Sequence, residues 1–225
     1  MIKLIIFDFD GVIVTGSNDG YFTCYHKALE DVGVSLSSEE ERKRIRAHWG
    51  KGHRQQLVYL LEEHSELVDS AVKAYEHYYH DTNLFFSKIR LIDGAKQALD
   101  SLAKHYTLAL ATGMMRVSLE HFLEKFQLTD YFQYVISIDD LPDLNDRKPS
   151  GYIVDAIRKQ TDISSEETIC VGDSENDILM AQNARVTPVA VLSGNMNKRD
   201  AEAVGVKYII DDVTQLETIL AEIIA

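Results

Sequence analysis

The amino-terminal segment of the chain reads LIIFDFDG at residues 4–11, and this stretch decides the fold. An apolar run that ends in two aspartates is typical of a strand buried on both faces of a parallel sheet. A second stretch, ICVGDSEND at residues 169–177, repeats this arrangement. The carboxyl ends of such strands lie in the crevice where open α/β sheets bind ligands. We therefore expect the aspartates of both segments to lie close together at this edge of the sheet. They are Asp8, Asp10, Asp173 and Asp177.

Aspartates that converge in this way repel one another. Two unit charges about 4 Å apart cost about 1 kcal/mol even in water, and more when they are partly buried. A divalent cation that prefers oxygen ligands relieves this repulsion, and Mg²⁺ is the simplest choice. The sequence therefore predicts a Mg²⁺ site at the two strand ends.

The composition is that of a globular protein. The 225 residues are 45% hydrophobic and 26% charged, enough for one large domain or for a core with an insertion. The formal net charge of −13 argues against nucleic acid or an anionic membrane surface as a partner. No transmembrane segment or signal peptide is indicated, and the two cysteines, Cys24 and Cys170, do not suggest a disulfide framework. We expect a cytoplasmic protein.

Short apolar segments along the chain predict the sheet. Helical patterns, with apolar residues three and four positions apart, lie between the later segments. This alternation predicts an α/β fold in which helices cover both faces of a parallel sheet. The predicted strands are Leu4–Asp8, Thr107–Thr112, Tyr134–Ile138, Thr168–Gly172, Pro188–Leu192 and Tyr208–Ile210.

The residues between the first two predicted strands interrupt the alternation. They contain helical patterns with apolar stripes at 21–32 and 67–79, and they are too many for one crossover. We therefore predict an inserted α-helical domain at residues 15–89 and a core formed by residues 1–14 and 90–225. A single fused domain is the alternative. The predicted hinges are Thr15–Gly20 and the stretch around Asn83–Ile89.

Two further motifs fall where the predicted sheet places a ligand. The sequence LALATG at residues 108–113 ends a strand with a hydroxyl and a glycine, which suits a phosphate contact through Thr112 and backbone N–H groups. The sequence KPS at residues 148–150 precedes a helical pattern and would put the ammonium of Lys148 beside the aspartates.

Each motif also has a purely structural interpretation. The DFDG segment could form a turn that its own aspartates cap. Thr112 could cap a helix, and Asp177 could favour a helix amino terminus. Lys148 could be a solvated surface lysine. The presence of all four motifs in order favours the functional interpretation.

With these motifs, the chain resembles the haloacid dehalogenase-like hydrolase superfamily over essentially its whole length. The resemblance implies a Rossmann-like core with an inserted helical cap domain of the kind found in the phosphoglycolate phosphatase and β-phosphoglucomutase branch. The matching motifs are DFDGV at residues 8–12, Thr112, Lys148 with Pro149, and GDSEND at residues 172–177.

The resemblance also implies a role for each aspartate. Asp8 would be the nucleophile that forms an aspartyl-phosphate, and Asp10 would act as general acid and base. The side chains of Asp8 and Asp173 and the backbone carbonyl of Asp10 would hold Mg²⁺, with Asp177 as a further ligand or as support for one.

The remaining core motifs would bind the phosphoryl group. By the same resemblance, Thr112, the backbone of Gly113 and the ammonium of Lys148 would stabilise charge on its oxygens. Phosphoryl transfer depends mainly on positioning and electrostatics, and aspartates, one lysine and a metal ion supply both.

A basic segment in the predicted helical insert supplies two more candidates. Residues 42–54 carry six cationic side chains and no acid. Within them, WGKGHR at residues 49–54 resembles the family's cap loop, which reaches over the core site. The resemblance implies that Lys51 or Arg54 contacts the substrate.

We predict a Mg²⁺-dependent phosphatase that acts on a small phosphorylated metabolite, as a monomer or homodimer. A phosphomutase of the β-phosphoglucomutase type is the nearest alternative, because it uses the same residues. A non-catalytic protein that binds a phosphorylated ligand is the alternative from another class, and the intact aspartates argue against it. By the same resemblance, Asp10 argues against dehalogenation, because dehalogenating relatives lack the acid and base that it would provide. The substrate stays open among glycolate, sugar, nucleotide and pyrophosphate compounds.

Overall fold

The computed structural model describes residues 1–48 and 51–224, and the chain forms two compact units. The sheet unit comprises Met1–Thr15 and Leu91–Ala225, and the helical unit comprises Gly16–Arg90. Each boundary lies one residue from the predicted position, and the role of the helical unit as a cap stays a prediction. Trp49 and Gly50 of the predicted cap loop lie outside the described residues.

The strands are short, as their apolar runs predict. They are β1 Leu4–Phe7, β2 Val14–Thr15, β3 Arg90–Leu91, β4 Thr107–Ala111, β5 Tyr134–Ile136, β6 Thr168–Gly172, β7 Thr187–Val191 and β8 Tyr208–Ile210.

Within the described residues, six of these strands form one parallel sheet in the order β5-β4-β1-β6-β7-β8. The central strand β1 pairs with β4 on one side and with β6 on the other, so that Leu4 lies opposite both Thr107 and Thr168. The order of the strands reverses at β1, which places a ligand crevice beyond its carboxyl end. The predicted α/β fold with a parallel sheet is confirmed.

Strand β1 is apolar throughout because both of its faces are buried. Leu4 and Ile6 belong to a cluster that includes Ile153 and Ile157 of the helix at Tyr152–Thr161. Phe7 has its ring edge against Phe132, with the ring centroids 6.2 Å apart. Helices therefore cover a sheet that needs apolar residues at every position of its central strand.

Helices build the helical unit and follow most of the strands in the sheet unit. They are α1 Ser17–Asp31, α2 Ser38–Ala47, α3 His53–Leu60, α4 Val68–Glu76, α5 Ala95–Leu102, α6 Arg116–Lys125, α7 Tyr152–Thr161, α8 Glu175–Asn183, α9 Lys198–Ala203 and α10 Leu216–Ile224. Among residues 1–48 and 51–224, no helix combines the length and the apolar character that a membrane span needs.

The helical unit packs around an aromatic core. Tyr25 stacks on Tyr75 with the ring centroids 4.5 Å apart, and Phe85 contacts Tyr79 at the same separation. The boundary between the two units, at Thr15 and Gly16, falls within the predicted hinge Thr15–Gly20, and helix α1 begins at Ser17, so the later residues of that stretch are helical. A hinge at this position stays a prediction. Gly20 is in this helix for a packing reason, since a Cβ atom there would lie 2.7 Å from the Phe85 ring.

Candidate active site

The acidic group predicted from the two strand ends forms in the sheet unit. Asp8 directly follows β1, and its N–H still donates to the carbonyl of Val171 in β6 at 2.9 Å. Asp173 directly follows β6, and Asp177 lies in the first turn of α8. One carboxylate oxygen from each of these three aspartates lies within 4.8 Å of the others. The structure therefore brings three of the four predicted aspartates together through their side chains.

Lys148 lies inside this group and is not a solvated surface lysine. Its Nζ atom is 2.8 Å from Oδ1 of Asp8 and 2.6 Å from Oδ1 of Asp177. Only 12% of the Lys148 side chain is exposed, and the same fraction holds for Asp8. One ammonium thus bridges the carboxylates of Asp8 and Asp177, which lie far apart in the sequence.

Asp177 belongs to the capping box of α8. Its Oδ2 atom accepts hydrogen bonds from the N–H of Ser174 at 3.1 Å and from the Ser174 hydroxyl at 2.5 Å, while Lys148 binds Oδ1. The predicted role of Asp177 at a helix amino terminus is therefore confirmed, and its role toward a metal ion stays a prediction. Gly172 makes this packing possible, because a Cβ atom there would lie 2.1 Å from the Cβ of Asp177.

Asp173 is held by a loop that the sequence reasoning missed. Its Oδ2 atom accepts two hydrogen bonds from Asn195, one from the backbone N–H at 2.7 Å and one from Nδ2 at 2.9 Å. In the same loop, the hydroxyl of Ser193 donates to the carbonyl of Gly11 at 2.5 Å. The signal was available, because polar residues, Ser193 and Asn195, follow Leu192 shortly after the end of β7.

Thr112 is buried at the end of β4 and does not cap the following helix. Its hydroxyl oxygen accepts a hydrogen bond from the N–H of Met114 at 3.1 Å, whereas α6 begins at Arg116. Gly113 is exposed, and a Cβ atom there would meet nothing within 4 Å. The turn after β4 therefore leaves open space beside the Thr112 hydroxyl and the backbone N–H of Gly113.

Asp10 lies near the acidic group but outside the set of three side chains. Its charge contributes to the raised pKa of Asp173. Asp10 forms a single β-bridge with Val14, and the N–H of Gly11 donates to the Val14 carbonyl at 2.8 Å. The resemblance assigns the backbone carbonyl of Asp10 to the metal and leaves its carboxylate for proton transfer, a role that stays a prediction.

The electrostatics of the group follow from burial and from the surplus of carboxylates. Burial raises the pKa of Asp8 well above its usual range, Lys148 opposes this, and Asp177 and Asp173 add to it. Burial and the charge of Asp177 raise the pKa of Asp173 to about 7. Burial would lower the pKa of Lys148, but the charges of Asp177 and Asp8 outweigh it and raise that pKa.

The donor set fits a divalent cation. Three carboxylates share a space less than 5 Å across with one ammonium, and one positive charge balances only one of the three negative charges. The donors are oxygen atoms, which Mg²⁺ prefers to nitrogen and sulfur. Asp8, Asp173 and Asp177 are the side chains that could hold it.

Comparison with known proteins identifies the family. The haloacid dehalogenase-like hydrolase family matches residues 5–191, most of the chain. The chain belongs to this family. A phosphoglycolate phosphatase from Aliivibrio fischeri is 29% identical over 203 residues, covering 86% of this chain and 85% of the relative. A pyrophosphatase from Bacillus mycoides is 23% identical, and the match covers 99% of this chain and 98% of the relative.

A solved structure agrees with the family assignment at the level of the fold. A haloacid dehalogenase-like hydrolase from Streptococcus pneumoniae aligns with a TM-score of 0.78 at 19% identity, covering 97% of this chain and 98% of that one. The predicted family is confirmed, and so is the prediction of an enzyme, a phosphoric monoester hydrolase of the haloacid dehalogenase-like type.

The two predicted substrate contacts lie in the helical unit and have partners there. The Nζ atom of Lys51 is 3.0 Å from the hydroxyl of Tyr59. Arg54, at the start of α3, forms an ion pair of 2.6 Å with Asp69 in α4. Its side chain is 62% exposed, which leaves it accessible to a ligand. The substrate role of both residues stays a prediction.

Proposed function

We propose that this member of the family is a Mg²⁺-dependent phosphatase that hydrolyses a small phosphorylated metabolite through an aspartyl-phosphate on Asp8. The observation that carries the proposal is the position of the Asp8 carboxylate. It follows the central strand, contacts the ammonium of Lys148 and shares a charged group with Asp173 and Asp177. The phosphatase names of the relatives support the reaction class.

The first chemical step requires an ionised and well-placed Asp8. Its backbone is fixed by the hydrogen bond to Val171, so the carboxylate attacks from a rigid strand end. Lys148 favours the ionised form, since an adjacent positive charge stabilises a carboxylate. Bound Mg²⁺ would supply charge neutralisation between the carboxylate and the phosphoryl oxygens. The result is a covalent phosphoryl-aspartate and a released alcohol.

The second step is hydrolysis of this intermediate. Asp10 would protonate the leaving oxygen in the first step and would then take a proton from the attacking water. Thr112, the N–H of Gly113 and Lys148 would stabilise negative charge on the phosphoryl oxygens in both steps. Thr112 is suited to this because its hydroxyl hydrogen is not committed by the bond from Met114, in which the oxygen is the acceptor.

A panel of phosphorylated compounds tests the proposed function. The purified protein is incubated with Mg²⁺ and with 2-phosphoglycolate, sugar phosphates, nucleotides or pyrophosphate, and released phosphate is measured. We expect release from at least one small compound with Mg²⁺ and none in excess EDTA. Absence of release from every compound, or full release in EDTA, would contradict the proposal. Conversion of a hexose 1-phosphate into the 6-phosphate without free phosphate would indicate the phosphomutase alternative.

A further inference from the structure

The loop between β7 and α9 binds one oxygen of Asp173 with two donors. Both hydrogen bonds from Asn195 end on Oδ2, at 2.7 Å from the backbone N–H and 2.9 Å from Nδ2. A carboxylate oxygen that accepts two such hydrogen bonds is held in one orientation. The Asp173 side chain therefore has a defined orientation before any cation binds.

The same oxygen is enclosed by two backbones. A Cβ atom built on Gly11 would lie 2.3 Å from Oδ2 of Asp173, and one built on Gly194 would lie 1.9 Å from it. The two hydrogen bonds from Asn195 and the close approach of both glycines therefore fall on the same oxygen, Oδ2. The other oxygen, Oδ1, takes no part in these contacts.

The loop is itself anchored on both sides of Asn195. The hydroxyl of Ser193 holds the carbonyl of Gly11, the residue that follows the first aspartate pair. Met196 is buried in a cluster with Ile178 of α8 and Ala190 of β7. Asn195 thus lies between two fixed points, which is the support that a ligand-orienting residue needs.

We propose that Asn195 is a positioning residue, which holds Oδ2 of Asp173 so that Oδ1 is presented to the divalent cation of the phosphatase. The inference rests on the proposed function for the presence of that cation. Residues that orient a metal ligand affect the affinity for the metal more than they affect the fold. Asn195 is exposed, so its truncation opens no cavity in the core.

A Mg²⁺ titration of melting temperature tests this assignment without substrate. The concentration dependence of the rise gives an apparent affinity for each variant. We expect Asn195→Ala to weaken Mg²⁺ binding about tenfold, because it removes the Nδ2 donor and keeps the backbone N–H. Asn195→Leu, which also lacks the side-chain donor, should do the same. In turnover assays, the Mg²⁺ concentration needed for half-maximal rate rises, while the KM for substrate at saturating Mg²⁺ stays unchanged.

Asn197→Ala is the matched control. Asn197 lies in the same loop and caps α9, where its side chain accepts the N–H of Asp200 at 3.0 Å and donates to the Asp200 carboxylate at 2.6 Å. This variant should melt at a lower temperature in EDTA and yet bind Mg²⁺ like the wild type. Unchanged Mg²⁺ affinity in both Asn195 variants, or an equal loss in Asn197→Ala, would overturn the positioning role.

The outcomes separate this inference from the proposed function. If the wild type binds Mg²⁺ but releases phosphate from no compound, the proposed phosphatase function is refuted. The Mg²⁺ titration still shows whether the Asn195 variants bind the ion more weakly than the wild type. A wild type whose melting temperature ignores Mg²⁺ refutes both. Phosphate release with equal Mg²⁺ affinity in wild type and Asn195→Ala refutes the inference alone.

Discussion

The carboxylates of the acidic group are held by partners of two kinds, an ammonium and an amide, and the kind of partner determines what its removal does. Lys148 bridges Asp8 and Asp177, and Asn195 holds Asp173. An ammonium among buried carboxylates offsets their charge, whereas a neutral amide mainly fixes the direction of the carboxylate that it binds. Loss of Lys148 should therefore change ionisation in the group, and loss of Asn195 should change its geometry.

Lys148→Met should lower kcat by about a hundred- to a thousandfold, because it removes a donor to the phosphoryl oxygens. It should also raise the pKa of Asp8 further, since Lys148 is the positive charge that lowers it. The acidic limb of the pH–rate profile should then move to higher pH. The profile of kcat/KM against pH measures this shift.

Lys159→Met is the control for Lys148. Lys159 is an exposed lysine in α7. Among the described residues, no hydrogen bond or ion pair joins it to the acidic group. Its loss should leave both the rate and the profile unchanged. A Lys148→Met enzyme with the wild-type rate and profile would remove Lys148 from the mechanism.

At the scale of the element, the turn after β1 depends on a glycine. Gly11 has a φ of 74°, in the left-handed region, and it also approaches Oδ2 of Asp173 closely. Gly11→Ala should lower the free energy of unfolding by more than the roughly 1–2 kcal/mol that left-handed strain costs. It should also weaken Mg²⁺ binding, because the new methyl group displaces Asp173.

Gly33→Ala separates strain from crowding. Gly33 has nearly the same φ, 76°, but a Cβ atom there meets nothing within 4 Å. In urea denaturation, Gly33→Ala should lower the free energy of unfolding by the cost of the left-handed strain alone. It should leave the affinity for Mg²⁺ unchanged. Equal effects of the two substitutions on stability and on Mg²⁺ affinity would show that the close approach at Gly11 has no consequence.

The ion pair between α3 and α4 gives a test of substrate recognition. If Arg54 contacts the substrate's distal group, Arg54→Ala should lower kcat/KM for the best compound by roughly ten- to several-hundredfold. It should affect p-nitrophenyl phosphate much less, since that ester has no such group. Steady-state kinetics on both compounds measures the contrast.

Asp69→Ala is the control for Arg54, because it removes the ion pair and keeps the arginine. An exposed pair of this kind stabilises the fold little, so the variant should retain its activity. Equal losses on both compounds, or no loss on either, would remove Arg54 from the binding site and leave Lys51 as the next candidate.

The elements that the sequence predicts well are those whose signal is local. Burial on both faces makes Leu4–Phe7 a continuous apolar run, and an aspartate at its end is visible without knowledge of the fold. Strand ends are less certain. Predicted Tyr134–Ile138 stops at Ile136, because Ser137 and Asp140 form a capping box that turns the chain.

The contacts that the sequence did not predict depend on which elements are neighbours. Asn195 reaches Asp173 only because β7 lies beside β6 in the sheet, and the chain order alone does not give that pairing. Likewise, the sequence predicts that Lys148 lies beside the aspartates, but it does not reveal that Lys148 joins Asp8 to Asp177. Residue types at strand ends indicate a site, and the sheet order decides which of them meet.

At the scale of the whole molecule, the acidic group links stability to pH and to metal. Burial raises the pKa of Asp173 to about 7 and raises that of Asp8. Between about pH 4 and pH 7, the folded protein therefore holds protons that the unfolded chain releases. Without metal, stability should be greatest at the acidic end of this window and should fall as the pH rises through it.

Melting temperatures in EDTA between about pH 4 and pH 7 check this dependence. Asp173→Asn should flatten the slope, because it removes one of the titrating groups. Saturating Mg²⁺ should raise the melting temperature most at high pH, where the carboxylates are ionised. A wild-type melting temperature in EDTA that rises with pH across this window would contradict this account.

Ca²⁺ should inhibit turnover, since it prefers more ligands and longer distances than Mg²⁺.

The nucleophilic role of Asp8 is the central claim, and turnover by Asp8→Asn tests it most directly. The substitution removes the attacking charge at the end of β1 and keeps nearly the same side-chain volume, so the fold should persist. Circular dichroism establishes this before the assay. With saturating Mg²⁺ and the best compound of the panel, we expect phosphate release to fall to the background rate. A folded Asp8→Asn protein that retains more than about a few per cent of the wild-type rate would contradict covalent catalysis by Asp8.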